Sequence, residues 1–268
     1  PAGATLHGGG CCGMKEMAPQ IEIVSNAATV ADRAAEQVVD RLRKRPASTI
    51  GFATGATMKP VYARLVAATH AGEISFSAVT GFNLDEYVGV TSQSPGSFRA
   101  FMHEHLFAHV DMAPGKAKIP DGMASDVAAE AARYEALIAA TGGIDLLLLG
   151  IGTNGHIAFN EPGSDFASRT REIRLDEATR IAEARNFPDP ALAPERAITI
   201  GIATILEARS ILLIATGPAK AAALAAAIEG PIGPACPASA LRLHGNVRII
   251  CDEAAAAALA NGNKRRSA

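Results

Sequence analysis

The glycine-rich stretch at 150–163, GIGTNGHIAFNEPG, contains the strongest candidates for acid–base chemistry in this sequence. His156 and Glu161 lie five residues apart within it. A carboxylate beside an imidazole can fix the tautomer of the ring and raise its basicity, as it does in catalytic triads. The glycines let the chain turn tightly next to a ligand. An isolated histidine is more often structural, but this setting favours a catalytic pair.

A second motif, ATGAT at 53–57, joins a strand-like run to a helical one. The backbone N–H groups at the start of a helix attract anions, and small residues allow a phosphate to approach the backbone. Thr54, Gly55, Ala56 and Thr57 are therefore candidates to bind a phosphate. On its own the motif is weak, because an ordinary strand–helix turn can have the same residues.

A third motif, NLDEY at 83–87, contains the acidic pair Asp85 and Glu86 after another strand-like run. Most such pairs are solvated surface residues. At the end of a strand, however, one carboxylate becomes a candidate general base. Two basic residues complete the set: Arg185 and Lys220 are candidates to bind the same phosphate, and Lys220 again follows a strand-like run, ILLIATG.

The elements that must position these residues alternate between strands and helices. Strand-like runs precede all three motifs, and later ones lie at 211–215 and 247–251, with an Ala-rich helix at 218–228 between them. This alternation predicts an α/β fold with a mostly parallel sheet flanked by helices. Ligands of open parallel sheets bind at the carboxyl ends of the strands, so we expect the three motifs to converge on one site.

Composition narrows the classes of partner. The net charge of −2 and the pI near 6.4 give no basic surplus for a nucleic-acid binder. No apolar run is long enough to span a membrane. Four cysteines without metal-binding spacing indicate a reduced, cytoplasmic protein. His103, His105 and His109 are predicted to lie on one helix, with His105 and His109 at i,i+4 spacing. Phe107 stands where the HExxH zinc pattern needs its second histidine, so no metal site is expected.

One folded unit is expected. We predict a disordered leader or expression-tag residue at 1–19, a single α/β domain at 20–260 and a frayed tail at 261–268.

These residues identify a family. GFATGAT, FNLDEYVG, GIGTNGHIAFNEPGS, SRTR and ERAITIGIATILEA all resemble segments of the glucosamine-6-phosphate deaminase family, in the family order, from about residue 20 to about residue 253. The resemblance implies a Rossmann-like domain with a mobile lid near 162–187. It also implies deamination of an amino-sugar phosphate to fructose 6-phosphate and ammonia, without a cofactor.

The resemblance also assigns roles to individual residues. Asp85 resembles the base that transfers the proton between C2 and C1, and His156 the ring-opening residue, oriented by Glu161. Asn154 occupies a position that holds Asp in some members and Asn in others. The phosphate site would comprise the residues Thr54, Gly55, Ala56, Thr57, Arg185 and Lys220.

Three questions stay open at this level. Some members are hexamers activated by N-acetylglucosamine 6-phosphate, so a homo-oligomer is possible. Ser164 and Arg171 match that allosteric site, but Ile173 stands at the expected lysine.

The substrate could be the galactosamine epimer. The enzyme 6-phosphogluconolactonase shares the fold, but its sequence departs from the FNEP continuation. A sugar-phosphate sensor without turnover is a further alternative, disfavoured because Asp85, His156 and Glu161 are all present.

Overall fold

The computed structural model of the protein describes residues 16–184, 187 and 193–260. Its strands, in chain order, are β1 (Gln20–Val24), β2 (Thr49–Phe52), β3 (Thr80–Asn83), β4 (Asp85–Tyr87), β5 (Ala117–Lys118), β6 (Leu146–Leu149), β7 (Arg171–Arg174), β8 (Arg196–Thr199), β9 (Ile211–Ala215) and β10 (Val247–Asp252). Its α-helices are α1 (Ala27–Lys44), α2 (Lys59–His70), α3 (Phe98–His105), α4 (Val127–Ala140), α5 (Glu177–Glu183), α6 (Ile202–Leu206) and α7 (Ala221–Glu229). Short 3₁₀ helices cover Phe107–His109, Pro218–Lys220 and Pro237–Leu243.

Seven strands form one parallel sheet, the main sheet, in the order β1-β10-β9-β6-β2-β3-β5. Its central strand β6 consists of four leucines, all buried, as expected where helices cover both faces of a sheet. The alternation of strands and helices therefore predicted the fold class correctly.

The three remaining strands form a second sheet, the small sheet, which is antiparallel in the order β4-β8-β7. The chain passes from the main sheet to the small sheet across a single residue, Leu84, because β3 ends at Asn83 and β4 begins at Asp85. Asp85 pairs with Thr199 of β8. The strand that carries the acidic pair thus belongs to a different sheet from the strand that precedes it.

Several helices begin at a short polar side chain that accepts the backbone N–H of the third residue after it, which satisfies a donor that the helix itself leaves free. The residues that cap helices in this way are Asn26 for α1, Ser97 for α3, Asp126 for α4 and Asp176 for α5.

Two apolar clusters hold the elements together. The larger fills the space between the main sheet and its helices. The smaller is aromatic and packs beneath the small sheet, with the rings of Tyr87 and Phe98 at 4.5 Å and those of Phe98 and Phe159 at 5.7 Å between centroids. The ring of Phe187, at the end of the predicted lid segment, packs edge-on against that of Tyr87, with 5.7 Å between centroids. Among the described residues, no helix is both long and apolar enough to cross a bilayer.

Candidate active site

Four neighbouring strands of the main sheet end beside the predicted site residues. In the order β9-β6-β2-β3 they are followed by Lys220, the 150–163 loop, the 54–57 turn and Asp85. Because all four strands are parallel, their carboxyl ends lie at one edge of the sheet. Met58, which follows the turn, lies near Gly150, the first residue of the loop: a β-carbon built on Gly150 would lie 4.0 Å from the Met58 Cε. The three motifs therefore follow strands that end at one edge of the sheet, and their convergence on one binding site stays a prediction.

The 54–57 turn presents backbone to solvent at the start of α2. Thr54 and Thr57 are half-buried, and Gly55 and Ala56 are exposed. Gly55 has φ +116°, a conformation that favours glycine, and its carbonyl accepts the Met58 N–H at 3.0 Å. In the described structure no side chain caps the amino end of α2. Because Pro60 has no N–H, the N–H groups that the start of this helix can offer to an anion are those of Lys59 and Val61.

The 150–163 loop presses the imidazole of His156 against its own backbone. Gly152 donates its N–H to the His156 carbonyl at 2.9 Å. A β-carbon on Gly152 would lie 2.3 Å from His156 Nδ1 and Cε1, closer than any real contact allows. Glycine at this position is what leaves room for the ring.

His156 and Glu161 are brought together as the sequence predicted. His156 Nδ1 lies 3.3 Å from Glu161 Oε1, within ion-pair distance, although the alignment falls outside that of a hydrogen bond. Two further donors hold the carboxylate: Asn154 Nδ2 at 2.6 Å from Oε2, and Thr179 Oγ1 at 2.6 Å from Oε1. Asn154 also accepts the backbone N–H of His156 at 3.2 Å. Asn154 therefore contacts both members of the pair.

These donors decide the charge of Glu161. Burial alone would raise its pKa, but the interactions with His156, Thr179 and Asn154 outweigh burial and lower the pKa from 4.5 to about 2. Glu161 is consequently a carboxylate near neutral pH, in the state that can hold an imidazole in one orientation.

Asp85 is buried, with 6% of its surface exposed. Burial and then the negative charge of Asp85 raise the pKa of both Tyr62 and Tyr134. Tyr62 donates its hydroxyl to the Ala53 carbonyl, and Tyr134 lies 2.8 Å from the Asn83 carbonyl. The two phenols therefore stay protonated and their hydroxyls face backbone acceptors.

Thr199 connects the strand of Asp85 to the loop of His156. It pairs with Asp85 across the small sheet, and its Oγ1 accepts the Phe159 N–H at 3.1 Å. Asn160 adds a second connection, because its Nδ2 donates to the Ile200 carbonyl at 2.9 Å. The two candidate catalytic groups are thus fixed to a common strand, β8.

Glu86 faces away from this site. Its carboxylate accepts the backbone N–H groups of Tyr87, Phe98 and Arg99, each at 2.9 Å. It is 3% exposed, so it is not the solvated surface residue that an acidic pair usually contains. Burial raises its pKa, and the backbone N–H groups oppose that rise. Glu86 is bound to the start of α3 rather than to a ligand.

Lys220 follows the end of β9, and a hydrogen bond to Asp252 fixes the turn that precedes it. Both oxygens of Asp252 accept the Gly217 N–H at 3.0 Å. Burial lowers the pKa of Lys220, and within the described residues no carboxylate forms an ion pair with its ammonium. Arg185, the other predicted phosphate ligand, lies outside the described residues.

Sequence reasoning missed two residues of this arrangement, Thr179 and Thr199. Thr199 is the last residue of β8, so its position at a strand end was a usable signal. Thr179 lies on a helix 18 residues after Glu161, and nothing in its neighbourhood indicated a contact with Glu161.

The described part of the chain contains no group of three His, Cys, Asp or Glu side chains that could hold a metal ion. His105 ends α3, so His105 and His109 do not share one helix as the sequence had suggested.

Comparison with known families covers most of the chain. Residues 24–250 match the family model described as glucosamine-6-phosphate isomerases/6-phosphogluconolactonase. The chain is 48% identical over 242 residues to a protein of Shewanella loihica named glucosamine-6-phosphate deaminase, covering 90% of each chain. It is also 48% identical over 240 residues to a protein of that name from Rhodopirellula baltica, covering 90% of this chain and 96% of the relative.

Solved structures give the same picture. A monomeric glucosamine-6-phosphate deaminase superposes with a TM-score of 0.87 at 40% identity, covering 89% of this chain and 99% of the other. The 6-phosphogluconolactonase of Trypanosoma brucei superposes with a TM-score of 0.71 at 24% identity, covering 91% of this chain and all of the other, a likeness of fold alone.

Proposed function

The chain belongs to the family of glucosamine-6-phosphate isomerases and 6-phosphogluconolactonases, and we propose that within it the protein is a glucosamine-6-phosphate deaminase. The reaction is the conversion of glucosamine 6-phosphate and water to fructose 6-phosphate and ammonia. The observation that carries this proposal is one edge of the main sheet that combines a turn fit for phosphate, a buried aspartate and a histidine–glutamate pair. The relatives of that name, 48% identical over 90% of this chain, support it.

The phosphate is bound first in this scheme. The N–H groups of residues 54–57 and the ammonium of Lys220 contact its oxygens, together with Arg185. Lys220 is half-buried, and burial of its charged ammonium is unfavourable unless an anion compensates for the lost contact with water. A dianionic phosphate is therefore a suitable partner for Lys220. Binding energy at this remote end is used to position the reacting carbons.

Ring opening is assigned to His156. The imidazole takes the proton of the C1 hydroxyl and delivers a proton to the ring oxygen, which leaves an aldehyde at C1. Glu161 keeps the imidazole ring of His156 in place during this step because it remains a carboxylate. Asn154 contributes by holding both Glu161 and the backbone of His156.

Isomerisation and deamination are assigned to Asp85. Its carboxylate removes the C2 proton, while the substrate's ammonium group at C2 gives a proton to the C1 oxygen, so that a neutral enolamine with a C1 hydroxyl forms. The proton returns at C1, and C2 becomes an iminium carbon. Water adds to C2 and ammonia leaves, which produces the ketone of fructose 6-phosphate. Each step is general acid–base chemistry, which the side chains of this site can perform.

Two features of the surroundings are also proposed. The segment 162–187, with β7 and α5, is proposed as a lid over the sugar, within a single domain at 20–260. A cytoplasmic location and a homo-oligomer are proposals as well. The relative whose structure has a TM-score of 0.87 is described as monomeric, so size measurement in solution tests the second of these.

Ammonia release from the purified protein tests the proposal. Glucosamine 6-phosphate is compared with galactosamine 6-phosphate at equal concentration, and hydrolysis of 6-phosphogluconolactone is measured beside them. We expect ammonia from the glucosamine sugar and no lactone hydrolysis. Lactone hydrolysis without ammonia would place the protein with the other half of its family, and binding of sugar phosphate without any turnover would indicate a sensor.

A further inference from the structure

Thr179 makes a contact with the catalytic pair that no motif indicated. Its hydroxyl lies 2.6 Å from Glu161 Oε1, the same oxygen that lies 3.3 Å from His156 Nδ1. The residue is buried, with 8% of its surface exposed. One oxygen of Glu161 is therefore shared between the imidazole and a hydroxyl from an element 18 residues away.

The position of Thr179 is fixed by the start of its helix. It is the third residue of α5, and Asp176, which caps this helix, accepts the Thr179 backbone N–H at 2.7 Å. A residue at this position of a capped helix has a defined backbone orientation. The hydroxyl therefore reaches Glu161 from a fixed point rather than from a flexible loop.

We propose that Thr179 is a positioning residue for ring opening, which sets the orientation of the Glu161 carboxylate and through it that of His156. This inference rests on the proposed function and deepens it. Asn154 holds Oε2 and Thr179 holds Oε1, so the carboxylate cannot rotate about its last bond without losing a hydrogen bond.

A structural consequence is that the acid–base pair depends on where α5 lies. Glu161 and His156 belong to the loop after β6, whereas Thr179 belongs to the segment proposed as a lid. The carboxylate reaches its full set of donors only when α5 is in the position seen here. Closure over the sugar and the correct orientation of His156 would then be achieved by one movement.

Titration of Glu161 tests this contact without any substrate. The carboxyl carbon of Glu161 is followed by ¹³C NMR in the wild type, Thr179→Val and Thr179→Ser. Loss of a hydrogen bond to the charged form raises a carboxyl pKa, so Thr179→Val should move the midpoint upward from about 2 and Thr179→Ser should restore it. An unchanged midpoint in Thr179→Val overturns the inference. Thr179→Ala serves the same purpose if the valine variant does not fold.

Thr170 provides a matched control. Its hydroxyl also donates to a carboxylate at 2.6 Å, but to Glu135, and it is 7% exposed. Thr170→Val therefore removes a comparable hydrogen bond from the same segment of chain. It should leave the Glu161 midpoint where it is, and a shift as large as that of Thr179→Val would mean that the effect is a general loosening of the fold.

A double-mutant cycle relates the contact to catalysis. Thr179→Val should lower kcat by about tenfold or more, the usual value of a hydrogen bond to a charged group, and should cause no further loss in Glu161→Gln. Additive losses would mean that Thr179 does not act through Glu161. If the wild type releases no ammonia, the proposed function fails and the ring-opening role with it, whereas the titration still decides separately whether Thr179 acts on Glu161.

Discussion

Glu86 accepts the backbone N–H of Phe98 at 2.9 Å, across twelve residues of chain. Together with the N–H of Arg99, this contact binds Glu86 to the first turn of α3. Its neighbour Asp85 is near enough to Tyr62 and Tyr134 for its negative charge to raise their pKa. Adjacent residues of a strand point to opposite faces, so the two carboxylates occupy different environments although nothing separates them in sequence.

The first prediction follows from this division. Asp85→Asn removes the proposed base with almost no change in volume, so sugar-phosphate binding should survive while kcat falls by at least about a hundredfold. In deuterated water with ammonia and fructose 6-phosphate, the variant should not exchange the C1 hydrogen. Steady-state kinetics and proton NMR measure both effects.

Glu86→Gln is the control for this experiment. An amide has one acceptor oxygen where the carboxylate has two, so at least one of the three backbone N–H groups loses its partner. We expect unfolding stability to fall by about 1–3 kcal/mol while the folded protein keeps its turnover. If Glu86→Gln were inactive and Asp85→Asn fully active, the base would be Glu86 and the assignment to Asp85 would be wrong.

A second prediction concerns Glu161. Glu161→Gln should preserve the fold but loosen the orientation of His156, so turnover of the cyclic amino sugar should fall. The later steps do not use this pair, and exchange of the C1 hydrogen from fructose 6-phosphate and ammonia should be affected less. Full activity of Glu161→Gln on the cyclic sugar would show that the pairing has no catalytic role.

The third prediction uses the close approach of Gly152 to His156. A β-carbon at residue 152 would lie 2.3 Å from the imidazole, so Gly152→Ala should push the ring away from Glu161. A misplacement of about 1 Å can reduce a rate by about a hundredfold, and we expect kcat to fall by up to that factor. Gly245→Ala is the matched control, because nothing lies within 4 Å of its β-carbon. Equal kinetics of the two variants would contradict the prediction.

The fourth prediction concerns phosphate recognition. Lys220→Ala should raise KM by about tenfold or more and change kcat little, because the phosphate is remote from the reacting carbons and binds the ground state and transition state alike. Lys59→Ala is the comparison: Lys59 lies beside the same turn, but its ammonium is 5.6 Å from the centre of the Phe101 ring. An unchanged KM in Lys220→Ala would remove this residue from the phosphate site.

Much of the fold could be predicted because strand ends are visible in the sequence. The leucine run of β6 stops at Gly150, and the apolar run of β9 stops before Gly217, so the residues that follow were placed at one edge correctly. The start of α1 is set by Asn26, which lies one residue ahead of the helix and caps it with its side chain.

Long-range pairing could not be predicted in the same way. Strands β7 and β8 are short, and β7 alternates half-buried with exposed residues, including Arg171 and Arg174, so the small sheet left little trace in the sequence. The contact of Thr179 with Glu161 depends on how α5 packs after that sheet. Such contacts are decided by tertiary structure, which local patterns do not record.

Leu84 is the single residue between β3, in the main sheet, and β4, in the small sheet. The 54–57 turn and Lys220, which are proposed to bind the phosphate, follow strands of the main sheet, whereas Asp85 begins a strand of the small sheet, and each sheet has its own ladder of hydrogen bonds. A sugar that contacts both the phosphate site and Asp85 would therefore connect the main sheet to the small sheet. A slight rotation of the small sheet would change the reach from the Asp85 carboxylate to C2 without breaking a ladder bond and without releasing the phosphate.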